Sequence, residues 1–119
     1  SRFMLALKLA LAKVGEARTL VFDEVDSGIG GATAAAVGDR LRRVAKSLQV
    51  LVGTHSPQVA ALADHHWLIR KTTGRAKAAS EVVALDRAAR LEEVARMLSG
   101  AAITDAARAA AEQLMTAGK

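Results

Sequence analysis

The chain has 119 residues, 17 of them Lys or Arg and 12 Asp or Glu, for a formal charge of +5 (17 − 12). A chain of this length holds one modest core at most, and with 51% apolar but only 3% aromatic residues it excludes both a disordered acidic tail and an aromatic stacking platform for single-stranded nucleic acid. Cysteine is absent, which excludes disulfides, zinc fingers and thiol catalysis together.

Residues 1–14 read as a buried helix, with Leu5, Leu7, Leu9 and Leu11 alternating with Ala6, Ala10 and Ala12, and with Gly15 as its stop. Lys8 and Lys13 interrupt the stretch, which is shorter than the roughly 20 residues of a membrane span. No small-residue cleavage site follows, so a signal peptide is not expected either. Because the chain opens at Ser1 inside this helical pattern, we expect it to be a piece of a longer protein.

Thr19-Leu20-Val21-Phe22 is a continuous apolar run leading into Asp23-Glu24, the signature of a central parallel strand covered on both faces. Residues 25–31, with Gly28, Gly30 and Gly31, form a loop. From 32 to 48 the apolar positions Ala36, Val37, Leu41, Val44, Ala45 and Leu48 recur at a helical period, and Val50-Leu51-Val52 is a second strand ending at Gly53-Thr54-His55. Strand, helix and strand make a βαβ unit, and its crossover brings Asp23, Glu24 and His55 to the same carboxyl-end edge of one parallel sheet. Ser56 caps and Pro57 opens a short helix to residue 63. Strands over 67–71 and 80–85 around a basic turn at 72–77 suggest an antiparallel hairpin. Two helices close the chain: 87–98, stopped by Gly100, and an alanine-rich one capped by Thr104 and running to Met115.

An apolar strand ending in Asp23-Glu24 is the pattern of a Walker B strand, in which the Asp serves Mg²⁺ and the Glu an attacking water. Neighbouring strand residues point to opposite faces, so both carboxylates can meet one phosphate only where the strand ends and the chain turns. Other constellations are weaker. Gly28-Ile29-Gly30-Gly31-Ala32-Thr33 has Thr33 where a dinucleotide fingerprint needs its third Gly. Asp64-His65-His66 lacks further metal ligands at suitable spacing and reads as an exposed turn. Arg40, Arg43 and Lys46 on one helix, and Arg70, Lys71, Arg75 and Lys77 on the hairpin, are candidates for contact with DNA phosphates.

The motifs Val21-Phe22-Asp23-Glu24-Val25-Asp26-Ser27-Gly28-Ile29-Gly30-Gly31 and Thr54-His55-Ser56-Pro57-Gln58-Val59-Ala60-Ala61 resemble those of the RecN family, bacterial DNA repair ATPases related to the SMC proteins. The similarity continues through Ala89-Arg90-Leu91-Glu92-Glu93-Val94-Ala95-Arg96-Met97-Leu98 and Ile103-Thr104. A transporter ATPase would show a Ser-Ala-Leu-Asp type D-loop after the catalytic Glu, where this chain has Val25-Asp26-Ser27-Gly28. The resemblance implies an α/β fold: the C-terminal lobe of an ABC-type P-loop NTPase head spanning 1–119, a parallel βαβ core followed by a β-hairpin and two C-terminal helices.

It also implies roles. Asp23 would bind Mg²⁺, Glu24 would polarise the lytic water, Asp26 in the D-loop would reach the nucleotide across a head dimer, and His55 would be the switch histidine at the γ-phosphate. The implied cofactors are ATP and Mg²⁺. The implied partners are DNA through the full-length protein, a second head in a homodimer and the N-terminal P-loop lobe of the same protein, in the bacterial cytoplasm at the nucleoid and with no membrane. The signature loop and the P-loop are not in this chain: Gly118-Lys119 is its only Gly-Lys pair, and Gln113 stands where the first Gly is required. The isolated chain is therefore expected to hydrolyse no ATP. Two alternatives use the residues differently. In a metal-dependent phosphodiesterase or Toprim-like enzyme, Asp23, Glu24, Asp26 and His55 would surround metal ions; in a basic binding module they would have no catalytic role.

Overall fold

A computed structural model describes residues 18–24, 26–74 and 78–117, together with Ala6 and Gly15. The helix expected over 1–14 otherwise lies outside the described residues, as do 75–77 of the basic turn. Strand β1 (Thr19–Asp23), helix α1 (Gly31–Val44) and strand β2 (Gln49–Gly53) follow in order, and the strands pair in parallel with Thr19 opposite Gln49 and Asp23 opposite Gly53. A helical crossover returns the chain to the end where β1 began, which is what a parallel pair requires. Leu20, Phe22, Val50 and Val52 point to one face and pack with Ala34, Val37 and Leu41 of α1 and with Val59; Phe22 is only 2% exposed.

On the other face Val21 is 62% exposed and Leu51, opposite it in the register, 38%. Among the described residues it is the Leu20, Phe22, Val50 and Val52 face of the pair that is packed into a core. Helix α1 also ends earlier than its periodicity suggests, at Val44 instead of 48. Gln49 must already pair in the sheet, so residues 45–48 turn back through Lys46 N–H to Arg43 C=O (3.3 Å) and Ser47 N–H to Val44 C=O (3.1 Å).

Helix α2 (Pro57–Ala61) stops two residues short of the expected end. Its orphan carbonyls find a side-chain donor: Arg90 Nη2 donates to Ala60 (3.1 Å), Ala61 (2.9 Å) and Ala63. α1 and α2 meet closely at Gly38, where an added Cβ would stand 2.9 Å from Leu62 Cδ1.

Strands β3 (Trp67–Thr73) and β4 (Ala78–Ala84) form an antiparallel hairpin with Trp67 opposite Ala84 and Thr73 opposite Ala78. It is longer than the sequence suggests. The β-branched Thr72 and Thr73 belong to the ladder and not to the turn, and Thr72 Oγ1 donates to Ala79 C=O at 3.0 Å. Trp67, Ile69 and Val82 share one hairpin face and are 61%, 67% and 62% exposed.

Helices α3 (Arg87–Ser99) and α4 (Asp105–Thr116) begin at caps: Asp86 accepts from Ala89 N–H at 2.8 Å and Thr104 from Ala107 N–H at 3.1 Å. Gly100 ends α3 in a left-handed conformation, with φ 79°. A second buried cluster joins Ala61 of α2 to Val94, Ala95, Ala107, Ala111 and Met115, so the chain carries two clusters where its length suggested one core, and α2 supplies Val59 to the first and Ala61 to the second.

His66, half-buried beside Arg90 and Glu93, titrates below its ordinary value; burial is the main cause, the Arg90 charge adds to it and Glu93 opposes it. The unfolded chain therefore takes up this proton first, so stability is full above about pH 6.5 and is lost as pH falls below it. The thermal midpoint should fall between pH 7 and pH 5, before Asp and Glu titrate appreciably. His66→Gln should flatten that slope; an unchanged slope would remove His66 as its source.

Candidate functional site

The two parallel strands stop side by side, Asp23 against Gly53. The Glu24 N–H still donates to the Gly53 carbonyl at 3.0 Å, so β2 holds the chain one residue beyond β1. At Glu24 the backbone then swings into the left-handed region with φ 53°, alone in this among the described non-glycine residues. That conformation costs a residue with a Cβ about 1–2 kcal/mol. Such strain persists where the surroundings enforce it, characteristically at functional positions. Ser27 N–H to Glu24 C=O (3.1 Å) and a left-handed Gly28 (φ 73°) close the loop into α1.

Gly53 leaves room for the neighbouring carboxylate: a Cβ there would lie 2.9 Å from Asp23 Oδ1, which would have to turn aside. The Asp23 carboxylate is exposed and makes no hydrogen bond or ion pair among the described residues. The chemistry of this donor suits a hard, hydrated cation such as Mg²⁺, which is commonly held by one or two carboxylates together with phosphate oxygens and water.

From the end of β2, Thr54 Oγ1 donates to Asp26 Oδ2 and accepts the Ser56 N–H at 2.9 Å. Ser56 Oγ donates to Gln58 Oε1 at 2.9 Å and accepts from Val59 N–H at 3.5 Å, capping α2. His55, between two tied neighbours, is itself exposed and unbonded among the described residues. Glu24, Asp26, Ser27, His55, Ser56 and Gln58 line one cavity of about 350 Å³, which also reaches the first turn of α1. That turn has no side-chain cap, so its amides present a partial positive charge. Two carboxylates, an imidazole and a helix start thus border one hollow.

Of the residues singled out from sequence, Glu24, Asp26 and His55 converge on this cavity, while Asp23 stands at the strand end outside its lining. Thr54 and Gln58 were not anticipated. Their signal was local, a hydroxyl just after the strand and an amide in the first turn of the helix it leads to. The left-handed backbone at Glu24 left no signal at all, because Glu has no preference for that region.

Among the described residues no group of three or more His, Cys, Asp or Glu is placed to hold a metal ion. The basic patches are divided. Arg43 pairs with Asp39 at 3.0 Å, and Arg70 lies opposite Glu81 while Lys71, one residue on, points to the other hairpin face. None of the described helices is long and apolar enough to cross a membrane.

No family model matches the chain. It is 48% identical over 115 residues to the DNA repair protein RecN of Rickettsia bellii, covering 97% of this chain and 21% of the relative. The RecN proteins of Streptomyces coelicolor (45% over 115 residues) and Mycobacterium leprae (45% over 119 residues) are similar across 97% and 100% of this chain and 20% of their own length. The chain thus spans about a fifth of the curated relatives it matches, and the resemblance read from its motifs extends along nearly all of it. A solved structure, described under ATP-driven dimerization and DNA stimulated activation of SMC ATPases, shares the fold with a TM-score of 0.69 at 23% identity, over 83% of this chain and 59% of that one.

Proposed function

We propose that this chain, similar along nearly its whole length to a stretch making up about a fifth of each RecN DNA repair protein it matches, is the C-terminal part of an ATP-binding and ATP-hydrolysing SMC-like head that serves recombinational repair of DNA double-strand breaks. The observation that carries the reading is the convergence of Glu24, Asp26 and His55 on one cavity at the carboxyl edge of a parallel strand pair. Asp23, exposed at the end of β1, is the residue to hold Mg²⁺, which when bound supplies positive charge against the phosphate oxygens. Glu24 orients the attacking water and accepts its proton. His55 donates a hydrogen bond to the γ-phosphate, where negative charge builds up. Asp26 stands at the rim, available to the nucleotide shared with a second head.

The exposed face of the hairpin supports a covering partner: Trp67, Ile69 and Val82 form apolar surface that a complete head would bury, and the N-terminal P-loop lobe of the same protein is the expected cover. By the same reading, ATP-driven pairing of heads and DNA binding belong to the full-length protein, in the bacterial cytoplasm at the nucleoid.

In that protein His55→Ala should leave Mg²⁺-ADP binding nearly intact, cut ATP turnover about a hundredfold, the typical cost of one lost donor to developing charge, and weaken ATP-dependent pairing of heads. Calorimetry and steady-state hydrolysis read the two effects separately. Titration of Mn²⁺ without nucleotide tests the rival class: a tight site that vanished with His55 would overturn the ATPase reading in favour of metal-centred phosphodiester chemistry.

A further inference from the structure

Thr54 follows the last residue of β2, is half-buried and does not line the cavity. Its single hydroxyl makes two bonds, donating to Asp26 Oδ2 on the loop after β1 and accepting the Ser56 N–H on the loop after β2. Among the described residues this is the bond that holds the Asp26 carboxylate, and the two partners lie 28 positions apart in sequence. A hydroxyl donated to a carboxylate is a charge-assisted bond, stronger than the neutral contacts around it. The chain of contacts continues through Ser56 Oγ to Gln58 Oε1 at 2.9 Å, and the Gln58 amide sits against Gly31 at the start of α1. His55 lies within this tied segment with its imidazole exposed at the cavity.

We infer that Thr54 is a positioning residue: its hydroxyl locks the Asp26 loop to the His55 loop, so that the carboxylate facing a second head and the imidazole facing the phosphate are set by one element. This rests on the ATPase reading for its functional consequence but not for the bond itself. The hydroxyl's single proton is committed to Asp26, so Thr54 has no donor left for a phosphate oxygen. A change in either loop is transmitted to the other through that oxygen.

The test uses the full-length protein. Thr54→Val keeps the branched shape and deletes the hydroxyl, whereas Thr54→Ser keeps the hydroxyl and deletes the methyl. Thr54→Val should lower ATP turnover about ten- to hundredfold, the usual effect of removing a supporting hydrogen bond, with the ATP dissociation constant unchanged. Thr54→Ser should retain most of the turnover, which a purely packing role would not allow. Independently of nucleotide, Thr54→Val and Asp26→Ala should not be additive: the midpoint shift of the double variant should be smaller than the sum of the single shifts. Wild-type turnover in Thr54→Val, or additive shifts, would overturn the inference. If the unaltered protein hydrolysed no ATP, the proposed function would fall while the thermal cycle still decided whether Thr54 ties the loops.

Discussion

Glu24→Gln in the full-length protein is expected to bind ATP as the unaltered protein does and to hydrolyse it about 10² to 10⁴ times more slowly, the usual loss when a general base is removed. The amide keeps the size of the side chain and part of its hydrogen bonding, but cannot accept a proton from water. Single-turnover hydrolysis measures the chemical step directly, and a wild-type rate there would require another base. Glu24→Gly adds a second expectation. Its backbone already occupies φ 53°, so glycine should relieve about 1 kcal/mol of strain while abolishing the same chemistry. A variant that melts higher and turns over less would show that the fold accepts a local cost at Glu24 to aim a carboxylate into the cavity.

Phe22→Ala should destabilise the protein by about 3–5 kcal/mol, the range for deleting a buried aromatic ring. Phe22 is one of the two largest fully buried side chains and packs where β1, β2 and α1 meet. It also immediately precedes Asp23, so the loosened strand end should weaken Mg²⁺-nucleotide binding together with stability. Phe22→Leu, which keeps most of the volume, should lose far less. Denaturant unfolding of the two variants reads the difference; equal and small losses would mean that the sheet does not rest on this ring.

Much of this architecture was legible because its causes are local. Ser56 and Thr104 cap the helices they were expected to cap, and Gly100 stops α3, since each acts on amides or carbonyls within a few residues of itself. The edge that gathers Asp23, Glu24 and His55 followed from strand, helix and strand in sequence. What escaped the reading depends on distant partners. Ala45 and Leu48 suit a helix, and only the pairing of Gln49 with Thr19 cuts α1 short. Exposure of Val21 depends on what lies over the sheet, which an apolar run cannot disclose. The Thr54 to Asp26 bond joins two loops whose proximity exists only once β1 and β2 are side by side.

The open hairpin face and the two-stranded sheet have a consequence for handling the protein. Trp67, Ile69 and Val82 form an apolar stripe along strands whose outer backbone edges are unpaired within the described sheets, and such edges invite pairing with another chain. The chain should therefore self-associate in a manner that rises with concentration, and a charged substitution at Ile69 or Val82 should suppress it; a monomer at every concentration by sedimentation would mean that the hairpin face does not pair. On the proposed reading the same substitutions should impair the complete head, so that solubility of this chain would become an assay of assembly.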